Sequence, residues 1–232
     1  LSHDLFEGIH ARVGLVTDIV VYEEYPATYL AHVRRLHRWT RGDWQLLPWL
    51  LPRLLKPAGL PEVRADFDRI DTWKLLDNLR RSLLAPALLL MLLAGWLFLP
   101  GAALVWTVAA VGALAVPPLT GALTPIVRGR GPLAWRQAAR SLWPGLRRWL
   151  LAVAFLPFEA AQMLDAIGAS LVRVLLTRRR LLEWVTAAQS AQMVAASRLP
   201  TWRTMLAAPL ATAASAVVLV LLRPGSLPAA LL

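Results

Sequence analysis

No charged residue occurs between Ser82 and Val127. A helix needs roughly 20 apolar residues to cross the hydrocarbon of a bilayer, so this run has room for two crossings. In hydrocarbon a single segment satisfies its own backbone N–H and C=O groups only as a helix. Pro100-Gly101 interrupts the run where a turn is needed. The prediction is a helical hairpin over about 83–99 and 102–122, with Trp96 and Trp106 near the far interface. A second uncharged run, Thr204–Leu222, predicts one further span, ended by Arg223-Pro224-Gly225, and the last residues read as the start of another.

Charge distribution supports a membrane location. Residues 1–82 hold 12 Lys/Arg and 11 Asp/Glu, whereas residues 83–232 hold 13 Arg against Glu159, Asp165 and Glu183. Basic segments between apolar spans follow the positive-inside rule, which places 128–148 and 177–203 in the cytoplasm of a multi-pass inner-membrane protein. A nucleic-acid partner is not expected, because the arginines sit between membrane-length apolar runs and not on a polar domain. Hydrophobic residues make up 57% of the chain, and it contains no cysteine, which excludes disulfides and thiolate metal sites. The chain starts at Leu1 and stops within an apolar run, which reads as a fragment.

Residues 149–176 are apolar but carry Glu159, Asp165 and Arg173. If the basic segments on both sides are cytoplasmic, this stretch crosses an even number of times. The simplest expectation is an interfacial or re-entrant segment, and a single crossing is the alternative. Buried acids near lipid need partners, and Arg173 or its neighbours are the expected ones for Glu159 and Asp165.

The first 82 residues differ in kind. Asp4–Val13 has helical periodicity, with Leu5, Ile9 and Val13 on one side. Leu15–Tyr22 is rich in β-branched residues and predicts a strand. A helix is expected from Tyr25-Pro26 to about Leu47, and another from Asp71, as N-cap, through Arg81. Trp73, Leu76 and Leu83 would face one way on that helix, with Lys74, Arg80 and Arg81 suited to lipid headgroups. One strand and three short helices bury too little for an independent enzyme core, so a partner layer is expected upstream.

Two places in this part carry chemistry. Asp4 precedes the start of a helix, where the dipole and free N–H groups favour an ionised carboxylate fit to accept a proton; a plain helix cap fits equally. On the 27–47 helix, Arg34, Arg38, Arg41 and Gln45 share one face, and Arg35 and Trp39 are paired one turn apart on the next. Clustered guanidiniums suit bidentate phosphate contacts, and an indole beside them offers a platform for a sugar ring. A basic-aromatic helix lying on anionic lipid is the alternative.

Arg35-Leu36-His37-Arg38-Trp39 is close to the (Q/R)xxRW signature of processive membrane glycosyltransferases, and Ser2-His3-Asp4 stands where those enzymes carry Thr-Glu-Asp. Three blocks resemble the cyclic β-1,2-glucan synthase family. They are Ser2–Ile9 followed by Tyr22–Pro26; His37–Gln45 followed by Trp73–Leu83; and Leu164–Ile167 followed by Thr177–Trp184. The resemblance implies a mainly α chain: the C-terminal part of a GT-A-type α/β glycosyltransferase domain in residues 1–82, then interfacial and transmembrane helices in 83–232. It implies UDP-glucose as donor, a growing glucan as acceptor, and inverting transfer on the cytoplasmic membrane face. By position, Asp4 is then the general base, Arg38 with Arg35 stabilises the leaving diphosphate, Trp39 stacks the acceptor glucose, and His37 touches the phosphates or is an ordinary surface histidine. The implied Mg2+ or Mn2+ would be held by ligands upstream of this chain, and a phosphorylase-like region would lie downstream. Asp66-Phe67-Asp68 has DxD spacing but reads as a solvated loop. Arg178-Arg179-Arg180 with Trp184 reads as an interfacial anchor. The isolated chain is expected to be inactive. Another processive β-glycan synthase of the cellulose or hyaluronan type, and a non-catalytic membrane scaffold or transporter subunit, are the competing readings.

Overall fold

The computed structural model describes residues 3–11, 14, 16–22, 25–51, 67–129, 131–179, 181, 189, 192–193, 196, 203 and 205–230. Its elements are α1 (Asp4–Ala11), α2 (Tyr29–Gln45), α3 (Leu47–Leu50), α4 (Arg69–Leu97), α5 (Ala103–Arg128) and α6 (Pro132–Leu171). Helix α6 runs on into a π-helical segment, Val172–Thr177, followed in the chain by α7 (Ala207–Leu222), a 3-10 turn (Pro224–Ser226) and α8 (Leu227–Ala230). The chain divides into two compact units, Leu1–Leu84 with Ala161–Thr204, and Ala85–Ala160 with Met205–Leu232.

The expected strand over Leu15–Tyr22 is not formed. Val16, Ile19, Val20, Val21 and Tyr22 are exposed, and no described residue is in a strand. β-Branched residues suit a pleated surface, but a lone strand has no neighbour to take its backbone hydrogen bonds. The described residues are therefore mainly helical, with no strand among them.

In the first unit, α2 starts at Tyr29, after an N-cap in which Thr28, two residues past Pro26, accepts a hydrogen bond from the Ala31 amide at 3.2 Å. Leu30, Val33 and Leu46 are buried, as are Leu75 and Leu79 of α4 and Met163, Ala166 and Ile167 of α6. Three polar side chains packed among them have partners. Thr40 Oγ1 donates to Met163 Sδ at 3.2 Å, Ser170 Oγ to the Arg41 carbonyl at 3.1 Å, and Trp44 Nε1 to Ser82 Oγ at 2.9 Å. Asp71 does not cap α4. The helix starts earlier, at Arg69, and Asp68 Oδ1 accepts from the Asp71 amide at 2.7 Å, so Asp68 is the cap. Trp73, Leu76 and Leu83 are exposed, while Leu75, Leu79 and Ser82 form the buried face.

In the second unit, Leu88 and Leu92 of α4, Ala110 of α5 and Leu156 of α6 form one apolar cluster. The chain turns between α4 and α5 at Gly101, whose φ of +90° suits a residue without a Cβ. A Cβ at Gly95 would collide with Trp106 Cβ and Cγ, so the helices approach as closely as they do because residue 95 is glycine. Trp96 Nε1 donates to Thr107 Oγ1 at 2.9 Å, Thr107 Oγ1 to the Ala229 carbonyl at 3.0 Å, and Ser226 Oγ to the Trp96 carbonyl at 2.9 Å. Helix α5 continues through Pro117, Pro118 and Pro125. Membrane helices tolerate proline where neighbours and hydroxyls re-satisfy the backbone. The prolines leave the carbonyls of Ala113, Leu114 and Gly121 without their helical donors; elsewhere on the helix Thr120 and Thr124 donate to the carbonyls of Pro117 and Thr120, and Trp149 Nε1 donates to the Val111 carbonyl at 2.9 Å.

Among the described residues, three helices are long and apolar enough to cross a membrane, Arg69–Leu97, Ala103–Arg128 and Pro132–Thr177, with Ala208–Leu222 a shorter apolar helix. Residues 149–176 belong to the third of these. Arg180 and Trp184 of the expected anchor, and Asp66 of the DxD sequence, lie outside the described residues.

Candidate functional site

Asp4 is the first residue of α1, and its side chain is exposed. This helix has no buried residue, so packing alone does not fix it. Its start is set by His3. The Phe6 amide donates to His3 Nδ1 at 3.4 Å and the Glu7 amide to the His3 carbonyl at 2.9 Å. With Nδ1 accepting, the imidazole proton sits on Nε2, which donates to Asp43 Oδ1 at 3.0 Å. The same oxygen accepts from Asn78 Nδ2 of α4 at 2.8 Å, and Arg81 donates to the Asn78 side-chain oxygen Oδ1. A Cβ at Gly42 would lie 3.1 Å from His3 Cδ2, so the small residue before Asp43 makes room for the ring. Further along α1, Phe6 packs edge-on against Trp49 (5.6 Å) and Phe67 (6.1 Å).

On α2, the Arg35 guanidinium carbon lies 4.4 Å from the Trp39 ring centroid, a cation–π contact. The Trp39 side chain remains 46% exposed. One turn before the stack, Tyr25 lies over His32 with ring centroids 5.8 Å apart, and its hydroxyl is 3.2 Å from His32 Nδ1. Burial, and then the Arg35 charge, push the His32 pKa below its usual value. His32, Arg35, Trp39 and Asp43 follow one another at helical spacing, so the Arg35–Trp39 stack and the His3 anchor share one stripe of α2.

The structure thus joins Arg35 to Trp39 directly. It ties the residue beside Asp4 to Asp43, one turn beyond Trp39. Arg38 is half-buried on α2. His37 is engaged elsewhere: its Nε2 is 2.8 Å from Asp165 Oδ2. Asp165 was expected to pair with Arg173 or its neighbours; its described partner is His37, because α6 brings Asp165 to the α2 surface. Gln45, placed by periodicity on the arginine face, is buried and donates to the Leu181 carbonyl at 3.0 Å, which closes that end of the face.

Sequence reasoning gave no role to His3, Gly42, Asp43 or Asn78. All four fall in or beside the blocks that carry the family resemblance, but nothing local pairs residues 40 positions apart. Among the described residues, no three His, Cys, Asp or Glu side chains gather to hold a metal ion.

No protein-family model matches the chain. The cyclic beta-(1,2)-glucan synthase NdvB of Rhizobium meliloti (strain 1021) is 37% identical over 194 residues, covering 82% of this chain and 6% of that protein. The chain therefore spans a small part of the length of the curated relative it matches.

Proposed function

The chain belongs to the cyclic β-(1,2)-glucan synthase family, and from that premise we propose that it works as one segment of a membrane-bound glucosyltransferase of GT-A type that elongates β-1,2-glucan from UDP-glucose. The observation that carries this reading is the 37% identity to a glucan synthase along 82% of the chain.

The geometry supports a division of labour. Asp4 is the general base. It takes the proton from the 2-hydroxyl of the acceptor glucose as that oxygen attacks the anomeric carbon, UDP departs from the opposite face, and the configuration inverts. Its carboxylate is exposed in the first turn of α1, open to an acceptor hydroxyl. Arg38, supported by Arg35, faces the charge that develops on the diphosphate. Trp39 carries Arg35 on one face and is open enough to stack the acceptor sugar with the other. His37 reaches a phosphate only through Nδ1, since Asp165 engages Nε2. A divalent cation, Mg2+ or Mn2+, on the diphosphate fits this chemistry, held by carboxylates upstream of this chain.

The test is glucan elongation in membranes containing the full-length polypeptide. Asp4→Asn should lower the rate by about 10²–10⁴-fold, the usual worth of a positioned base, with UDP-glucose binding unchanged. A rate near wild type for Asp4→Asn would remove the base from this reading.

A further inference from the structure

We infer that His3 is a positioning residue for Asp4, locked by Asp43 and seated in the space left by Gly42. The inference rests on the reading of Asp4 as the base.

Helix α1 has eight residues and buries none of them. A helix this short is marginal on its own, and its first turn frays unless something outside it holds it. Phe6 is held through its ring contacts, but those act on the third residue of the helix and leave the backbone at Asp4 free to pivot. The group that holds the start is the His3 imidazole, and it acts in two directions at once. Nδ1 accepts from the Phe6 amide and closes the first turn around Asp4. Nε2 donates to Asp43 and ties that turn to α2. The anchor is itself held: Asp43 also accepts from Asn78 on α4, and its side chain is only 15% exposed. His3 is equally enclosed, at 11%. Gly42 completes the arrangement, because a methyl group there would press on the imidazole edge at 3.1 Å. Asp43 lies one helical turn beyond Trp39, so the bond that orients the proposed base is made to the helix that carries the proposed sugar platform and diphosphate ligands. A shift of about 1 Å in a reacting group can cost about 10²-fold in rate, so this bond sets how fast a bound acceptor reacts, and not how tightly it binds.

The experiment measures kcat and KM for donor and acceptor in the full-length enzyme. It compares wild type, His3→Ala, Asp43→Ala, the double variant, His3→Gln and Asp4→Asn. His3→Ala and Asp43→Ala should each lower kcat by about 10- to 100-fold while both KM values stay within about twofold. The double variant should be no slower than the slower single one, because both remove the same bond. His3→Gln keeps an N–H donor for Asp43 and should recover most of the rate. A wild-type kcat for His3→Ala overturns the inference. So do multiplying losses in the double variant, a loss that appears in KM, or a His3→Gln as slow as His3→Ala. If Asp4→Asn is inactive while His3→Ala is active, the positioning role alone fails. If Asp4→Asn is itself active, the base reading fails and this inference falls with it.

Discussion

The start of α1 and the α4–α5 hairpin are both held by a few named side chains, yet they are held by opposite means. The hairpin is a matter of shape. Gly95 admits Trp106, small Ala110 admits Leu88 and Leu92, and Trp96, which bonds Thr107, packs against the apolar cluster. The start of α1 is a matter of polar geometry. Nothing in that helix is buried, and a chain of donors and acceptors runs from Phe6 through His3 and Asp43 to Asn78. Shape resists change steeply, since a packed surface cannot yield to an added methyl without moving a helix. A polar anchor can lose one member and leave a folded protein whose reactive group is misplaced. Stability should therefore be sensitive in the hairpin, and turnover at the start of α1.

The largest change in stability is expected for Gly95→Ala. The new methyl meets the base of the Trp106 side chain, which cannot swing away, and the helices must separate. Overpacking of this kind costs about 1–3 kcal/mol, readable as a lower unfolding midpoint in detergent. Elongation per folded molecule should hardly change. An unaltered midpoint would mean that shape does not govern the hairpin.

Asn78→Ala should have a smaller effect on folding, about 1 kcal/mol, because Asp43 keeps His3 as a donor. The contrast sharpens if this variant loses more turnover than Gly95→Ala while losing less stability. It breaks if the two measures fall together in both variants.

The smallest effect concerns His32. Burial and the Arg35 charge depress its pKa in the folded chain below the model-peptide value of 6.5. The unfolded chain then binds the proton more readily, so the contribution to stability is present above pH 6.5 and is lost as pH falls through the lower, folded value. Unfolding midpoints between about pH 7.5 and about pH 5 should fall less steeply for His32→Gln than for wild type. Equal slopes would show that another group carries the acid sensitivity.

How much of this was legible beforehand depended on distance along the chain. The helices on either side of Pro100-Gly101 could be read directly, because an uncharged run in hydrocarbon has one way to satisfy its backbone, and the turn residues are contiguous. The α2 helix and its Arg35–Trp39 stack are also local, one turn apart. The strand expected at Leu15–Tyr22 failed because β-branched composition describes half of a pairing and says nothing of the other half. The α4 cap was misplaced because Asp68 and Asp71 both offer a carboxylate three residues before an amide, and only the helix start selects between them. The His3–Asp43 and His37–Asp165 bonds join residues 40 and 128 positions apart. No periodicity encodes such pairs; they exist only once helices pack.

The Thr107 hydroxyl also has a place in the order of synthesis. It donates to the Ala229 carbonyl, 122 residues further on. At roughly 5–20 residues per second, a ribosome needs on the order of ten seconds to make that partner after Thr107. Meanwhile the hydroxyl has an acceptor one turn back, since the Ala103 carbonyl lies 3.3 Å away. The hairpin can therefore enter a bilayer with this group provisionally satisfied by its own helix, and exchange that bond for the Ala229 carbonyl once residue 229 has been made. A threonine at this position suits nascent and finished protein alike, whereas a side chain that required the distant carbonyl would insert with an unpaired donor.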